Sequence, residues 1–339
     1  MPSDKAPGPD GFTGLFYKVA WPIIKQDVVN AFNAFWSLDG RSFNLINDAF
    51  MILLKKKNEA QEISDYRPIS LMHSFGKLIA KCLARRLALV LNDLVHPCQS
   101  AFIQGRSIHD NFRAVQLTCK TLHQKKQSCL LLKIDIAKAF DSVCWPFLLE
   151  VLQRLGFSRR WRNWMSILLG SASTKVLLNG RPGNRICHAR GLRQGDPLSP
   201  MLFILAMEVL GGLIRWAESQ SIFSPLRCAA VRSRVSLYAD DVVMFIKPEM
   251  NDIVAIKTIL QIFGDASGLY TNLGKCVANP IACSQEELQL VENMLSAQLE
   301  PFRASTWASL SLLAGCARSR SNSSLTPSRY VFYSGKLIS

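Results

Sequence analysis

Three features of the sequence predict an α+β fold. Apolar residues recur at helical spacing over several long stretches, the clearest running from Ser74 to Leu94. One apolar run, Cys129–Ile136, has the length of a buried strand. Two further segments carry hairpin signals: Val235–Ile246, where two aspartates interrupt an apolar run, and the strands flanking Asn179-Gly180. Strands joined by tight turns pair antiparallel.

The chain opens with a Pro/Gly-rich loop, Ala6-Pro7-Gly8-Pro9-Asp10-Gly11, which reads as entering a domain already under way. A helix is expected over Trp21–Trp36, with Pro22 in its first turn and Ile24, Val28, Phe32 and Phe35 on one face. Ala49–Leu54 reads as a strand running into Lys55-Lys56-Lys57, and Asp65–Leu71 as a loop leading into the Ser74–Leu94 helix. That helix presents Ile79, Leu83, Leu87, Val90, Leu91 and Leu94 as its core face. Lys77, Lys81 and Arg85 recur every four residues on roughly the opposite side, with Arg86 beside them. No acid lies between Lys77 and Arg86 to form the usual i,i+4 pairs, so the stripe is either a solvated face or a set of phosphate contacts.

Gln99 to Arg106 reads as a loop. Ser107 is expected to cap a helix to about His123, with Ile108, Phe112, Val115, Cys119 and Leu122 inward. Helices follow at Pro146–Leu155, closed by Gly156, and Ser158–Leu169, closed by Gly170. Lys175–Leu178 and Arg185–His188 form the hairpin around Asn179-Gly180. Ser199 is expected to cap, and Pro200 to open, a long helix to about Trp216. Asn251–Phe263 reads as a helix ended by Gly264 and Gly268, Leu269–Asn279 as a strand pair around Gly274-Lys275, and Ser284–Leu299 as a helix.

Among 339 residues, 40 Lys and Arg stand against 25 Asp and Glu, a net charge of +15. The excess suits a polyanionic partner, either nucleic acid or an anionic membrane surface. No apolar run reaches the ~18 residues a membrane span needs, and the N-terminus lacks an apolar signal core. The ten cysteines include no Cys-x-x-Cys pair, and the five histidines show no metal spacing. An intracellular protein with reduced thiols and no membrane contact is expected, with nucleus and cytoplasm not distinguished.

Two ionised carboxylates side by side repel, and burial raises the cost. Asp240-Asp241 at the tip of a buried hairpin is therefore either a solvated turn or part of a cation site. Hard cations such as Mg²⁺ take one or two carboxylates plus substrate phosphates. Asp135 stands at the end of the Cys129–Ile136 strand, where an aspartate can also cap a following helix. With Asp240 and Asp241 it completes a set able to hold two ions, Mg²⁺ or Mn²⁺, roughly 4 Å apart, an arrangement suited to in-line phosphoryl transfer.

The order of motifs resembles the reverse transcriptase family, specifically that of plant non-LTR (LINE-type) retrotransposons. The resemblance runs from Lys5 to about Phe302. It is carried by Lys5-Ala6-Pro7-Gly8-Pro9-Asp10-Gly11-Phe12, by Asp65-Tyr66-Arg67-Pro68-Ile69-Ser70-Leu71, and by Gln99-Ser100-Ala101-Phe102-Ile103 with Gly105-Arg106. Lys133-Ile134-Asp135 through Ala139-Phe140-Asp141, Gly191 to Pro200, Tyr238-Ala239-Asp240-Asp241, and Gly268-Leu269 with Asn272 and Lys275 continue it. Single motifs are weak signals; seven in order are a strong one.

The resemblance implies a right-hand polymerase fold of fingers and palm with an antiparallel palm sheet. Residues 1–128 would form the fingers and the start of the palm, residues 129–302 the palm, and about 40–302 the reverse transcriptase domain. It implies RNA-directed DNA polymerase activity by two-metal nucleotidyl transfer, with an RNA template, a DNA primer and deoxynucleoside triphosphates as partners. Asp135 and Asp240 would be the principal metal ligands, with Asp241 beside them. Arg67, Arg106 and Lys77 would lie near the incoming triphosphate, and Gln194 and Gly195 would line the template–nucleotide pocket. Lys275 matches a lysine proposed to protonate leaving pyrophosphate, and reads equally as a hairpin lysine. Phe140 matches an aromatic ring beneath the nucleotide sugar, where it would clash with a 2′-hydroxyl; as a core phenylalanine it would have no such role.

Two departures from the family pattern stand out. No endonuclease precedes the polymerase motifs, and the thumb expected after residue 302 is missing or scrambled. Residues 303–339 read as an aberrant tail: Arg303 to about Tyr330 lacks any helix or strand period and is expected to be out of frame. A catalytically inactive remnant that at most binds nucleic acid is therefore the alternative. A maturase-type splicing cofactor is disfavoured, since no basic domain follows the palm.

Overall fold

The computed structural model describes residues 3, 5–37, 43–226, 233–295 and 297–301. The tail at 303–339, with the frame shift and thumb questions attached to it, lies outside the described residues. Helices α1 (Gly14–Val19) and α2 (Trp21–Trp36) precede strands β1 (Asp48–Lys55) and β2 (Tyr66–Met72). Then come α3 (Ser74–Leu94), α4 (Ile108–Gln124), β3 (Cys129–Ile134), α5 (Ala139–Ser142), α6 (Trp145–Arg154) and α7 (Arg159–Gly170). The chain continues through β4 (Ser173–Leu178), β5 (Arg181–Cys187), α8 (Ser199–Ser219), β6 (Val235–Tyr238) and β7 (Asp241–Ile246). It closes with α9 (Met250–Ser267), β8 (Val277–Ile281), α10 (Gln285–Met294) and β9 (Gln298–Leu299).

The strands form two sheets, ordered β2-β1-β4-β5 and β6-β7-β3-β8-β9. The second is antiparallel from β6 to β8, and the two-residue β9 joins β8 in parallel. β4 and β5 complete the first sheet alongside β1 and β2, so the expected division at residue 128 does not coincide with a division between the sheets.

β3 is the centre of the second sheet. Leu130, Leu132 and Ile134 point into the main core, while Cys129 and Leu131 pack on α4 residues Val115, Cys119 and Leu122. Burying each leucine contributes about 2 kcal/mol, and β3 buries both faces, which makes its end a rigid platform. Helix α8 is the central helix. Leu202 to Met207 are buried in unbroken succession, the mark of a helix covered on all sides. By length and composition α8 could cross a membrane, but here α3, α6 and α9 pack around it and its Glu208 pairs with Arg215.

The locally signalled elements form as expected. α2 and α3 have the expected bounds, Ser107 caps α4, and Asn179 (φ 49°) and Gly180 (φ 79°) turn β4 into β5. Elsewhere the structure corrects the sequence reading. Asp65–Leu71 is mostly the strand β2, not a loop. Pro68 is tolerated there because β2 lies at the sheet edge, where a missing N–H breaks no ladder. Val90, placed on the core face of α3, is 43% exposed. Ser199 is the first residue of α8 and not its cap; the Leu198 N–H donates to Asp196 Oδ1 at 2.8 Å, so Asp196 serves that end. α9 continues through Gly264 to Ser267 and ends at Gly268 (φ +78°). Gly264 is required by packing, since a Cβ there would come within 2.8 Å of the Tyr270 ring. Leu269–Asn279 holds a 3₁₀ turn, Leu273–Lys275, before the single strand β8. Ser284 caps α10 with a Ser284–Glu287 capping box, but the helix stops at Met294 because the next residues turn back to pair with β8. The helix α1 and the one-turn α5 carry too little periodicity to be read from sequence.

Candidate active site

Asp135 is the first residue beyond β3. Its carbonyl accepts the Asn272 N–H at 2.8 Å, and its own N–H donates to Cys276 Sγ at 3.4 Å. The Ala137 N–H donates to the Tyr270 carbonyl at 2.9 Å. Residues 270–276 thus wrap the strand end, and the Leu273–Lys275 turn delivers Lys275 to Asp135. Burial pushes the Asp135 carboxyl above its usual range; the charge of Asp240 adds to the shift, while Lys275 and Lys133 oppose it.

Asp240 arrives from the opposite strand. Tyr238 pairs with Asp241, which leaves Ala239 and Asp240 as the two central residues of the β6–β7 turn. Ala239 has φ 53°, in the left-handed region that the first position of such a turn ordinarily gives to glycine. An alanine there costs about 1 kcal/mol, strain of the kind held at functional sites. Asp135, Asp240 and Lys275 are therefore brought together from a strand end, a hairpin tip and a 3₁₀ turn. Asp241 opens β7, and among the described residues no three His, Cys, Asp or Glu side chains are gathered as a ready ligand set. The gathered carboxylates are the pair Asp135 and Asp240.

Phe140 sits on α5, five residues on. Its half-buried ring stacks on Phe203 of α8, centroids 4.4 Å apart and planes 16° apart. The Phe140 carbonyl accepts the Leu192 N–H at 2.6 Å. Beside it Gly191 has φ +83°, and a Cβ there would lie 2.6 Å from the Asp141 carbonyl, so only glycine allows this approach. At the far end of the same loop, the Ser70 N–H of β2 donates to the Gln194 carbonyl at 2.8 Å, with Gly195 at φ +106° against Ser70. The Gly191–Pro200 loop thus fastens the aspartate end of one sheet to the edge of the other. A cavity of about 300 Å³ lies along it, bounded by Pro68, Ser70, Asp141, His188, Arg190 and Gln194.

The expected cations divide. Arg67 is exposed on β2 and shares a strand face with Ile69, whose Cγ2 would lie 3.8 Å from a Cβ placed on Gly195. Lys77 is partly buried, and burial lowers its ammonium pKa, with Lys81 adding to this and Asp196 opposing it. Lys77 thus feels the charge of Asp196 in the loop, whose ion-pair partner is Arg193 at 4.0 Å. Arg85 is exposed, and Arg86 lies over the Trp161 ring at 5.9 Å. Arg106 is committed elsewhere: its guanidinium donates to the carbonyls of Asn92, Val95, His96 and Gln99 and to Asn92 Oδ1, occupying all five donors at the C-terminal end of α3. The structure also adds Cys276 beneath Asp135 and Phe203 beneath Phe140, neither of which any local pattern marked.

Carboxylates at a central strand end and at a neighbouring hairpin tip, on an antiparallel sheet backed by helices, define a right-hand polymerase fold. A telomerase from Candida tropicalis, solved with a TWJ fragment of telomeric RNA, shares it with a TM-score of 0.51 at 11% identity, over 69% of this chain and 41% of that one. The profile of the family "Reverse transcriptase (RNA-dependent DNA polymerase)" matches residues 54–307. The chain is 30% identical over 275 residues to the Transposon TX1 uncharacterized 149 kDa protein of Xenopus laevis, covering 81% of this chain and 21% of that protein. It is 28% identical over 271 residues to the Pol polyprotein from the retrotransposable element R2DM of Drosophila melanogaster, covering 80% and 24%. The chain belongs to the reverse transcriptase family, and within it to the LINE-type, non-LTR branch. It spans about a quarter or less of the length of these curated relatives.

Proposed function

We propose that this chain carries the RNA-directed DNA polymerase centre of a non-LTR retrotransposon, of the plant type its motif set resembles. The observation that carries the reading is the pairing of Asp135 with Asp240 beside Lys275. Burial pushes the Asp135 carboxyl up, with Lys275 opposing the shift and the charge of Asp240 adding to it, so further positive charge at this position would stabilise the ionised carboxylate. That is the environment a divalent cation relieves, and the donor set of hard oxygens fits Mg²⁺ or Mn²⁺. Asp135 and Asp240 would hold two such ions, with Asp241 adjacent and substrate phosphates completing the shell. Bound there, the ions supply the positive charge that makes a primer hydroxyl acidic and stabilises departing pyrophosphate.

The chain's own residues do the rest. Phe140, backed by Phe203, blocks the 2′ position of the sugar. The Gln194-Gly195 backbone, pinned to Ser70, shapes the pocket for the templating pair, and Arg67 offers its free face to the triphosphate. Lys275 hands a proton to pyrophosphate. Lys81 and Arg85 meet the nucleic-acid backbone. In domain terms, 1–128 with the β4–β5 hairpin makes the fingers and the rest of 129–302 the palm.

Primer extension on an RNA template with deoxynucleotides and Mg²⁺ tests the reading. Asp135→Ala and Asp240→Ala should each abolish extension with the circular-dichroism spectrum unchanged. Near-normal extension by either variant refutes the assignment, and template binding without extension by the wild type identifies an inactive remnant.

A further inference from the structure

One buried polar side chain outside the residues assigned above touches the aspartate turn. Gln99 is 0% exposed. Its Oε1 accepts two backbone N–H groups, that of Ala101 at 2.9 Å and that of Ala239 at 3.1 Å. Two converging donors fix the amide orientation, because only the oxygen can face them. The Nε2 group is left buried without a partner among the described residues. A methionine of similar volume would carry no such burden, so what the position gains from glutamine is the carbonyl.

The backbone around Gln99 is anchored independently. Gln99 forms a parallel bridge with Leu237; the Ser100 N–H donates to the Leu237 carbonyl at 3.1 Å, and the Leu237 N–H to the Cys98 carbonyl at 2.8 Å. Asn111 Nδ2 donates to the Cys98 carbonyl at 2.9 Å, and Arg106 Nη1 to the Gln99 carbonyl at 2.8 Å. Ala239 is the left-handed residue immediately before Asp240. As the first central residue of its turn, its N–H is not used by the turn's own closing hydrogen bond. Gln99 supplies that partner from a fixed base.

We propose that Gln99 is a positioning residue: its side-chain carbonyl holds the Ala239 turn in its left-handed form and thereby aims Asp240 at Asp135. The catalytic consequence rests on the polymerase reading above, while the structural and metal-binding consequences do not. Gln99→Met removes the carbonyl at similar volume, Gln99→Asn withdraws it by one methylene, and Gln99→Glu keeps an acceptor in reach.

Three measurements on the full chain test this. Amide hydrogen exchange at Ala239 should quicken about tenfold in Gln99→Met and Gln99→Asn, with Leu237 unaltered. Affinity for Mn²⁺ alone should fall about tenfold, because the two carboxylates no longer converge. In primer extension, kcat should fall about 10- to 100-fold with the deoxynucleotide KM within about twofold, and Gln99→Glu should recover most of it. Unchanged Ala239 exchange, or unchanged Mn²⁺ affinity, overturns the proposal whatever the activity. Loss of kcat that Gln99→Glu does not rescue, in proportion to lost stability, overturns it as well. A wild type that extends no primer defeats the polymerase reading alone, since the exchange and Mn²⁺ results still decide the role of Gln99.

Discussion

Arg106→Lys separates two roles open to a cation at this position: contact with a nucleotide triphosphate, or a clamp on the end of α3. Nη1 donates to the His96 carbonyl at 2.7 Å and the Gln99 carbonyl at 2.8 Å; Nη2 donates to the Val95 carbonyl at 2.7 Å and the Asn92 carbonyl at 2.9 Å; Nε donates to Asn92 Oδ1 at 3.1 Å. Asn92 lies in the last turn of α3, whose final carbonyls have no partner within the helix, and Val95, His96 and Gln99 follow just beyond it; of these the His96 carbonyl also accepts the Gln99 N–H at 3.1 Å. The two bonds at Asn92 are exposed and count for little. The three part-buried ones, discounted for their partial exposure, contribute about 1 kcal/mol each, so Arg106→Ala should cost about 3 kcal/mol. Lysine keeps the charge favourable to a helix C-terminus but concentrates its donors on one nitrogen, and cannot span four carbonyls. Arg106→Lys should therefore still cost about 2 kcal/mol. Urea unfolding followed by tryptophan fluorescence measures the loss, and steady-state primer extension measures the deoxynucleotide KM. The clamp predicts lost stability with KM unchanged. A stability loss below about 0.5 kcal/mol together with a clearly raised KM would refute it and return Arg106 to the triphosphate.

Phe140→Ala should raise the ratio of ribo- to deoxynucleotide incorporation, at a stability cost of about 2 kcal/mol, less than a fully buried ring because one face is open; an unchanged ratio leaves the ring a packing role against Phe203. Because Lys77 is partly buried, replacing Lys81 and Arg85 together should flatten the salt dependence of nucleic-acid binding by roughly 1.5 in log–log slope, and Lys77→Gln should barely change it; filter binding across a salt series decides. The raised carboxyl of Asp135 gives a signed pH prediction. In the metal-free fold this group holds its proton more tightly than in the unfolded chain. Stability therefore falls as pH rises from the ordinary carboxylate range through the raised value, and is level above it. Mn²⁺ affinity should climb over the same window with proton release, measured by calorimetry in two buffers, and Asp135→Asn should remove both trends.

Elements whose hydrogen bonds close within a few residues were legible in the sequence. The long periodic helices α2 and α3, the Ser107 and Ser284 caps, the Asn179-Gly180 turn and the Gly268 stop all depend on local spacing and local backbone geometry. The aspartates were legible for a related reason: carboxylates set among buried strands cost too much to stand without a compensating partner. Tertiary structure alone decided which groups meet. Pro68 reads as a strand breaker until β2 is found at an edge, and Gly264 as a helix stop until Tyr270 is found lying over it. Lys77 is partly buried and feels the charge of Asp196 on a distant loop, Arg106 spends its donors on the end of α3, and Cys276 and Gln99 reach Asp135 and the Asp240 turn from remote segments. Spacing along a chain states which residues share a face of one element. The distance between two elements is set by how their buried surfaces pack, and the site of this protein is made at such a junction.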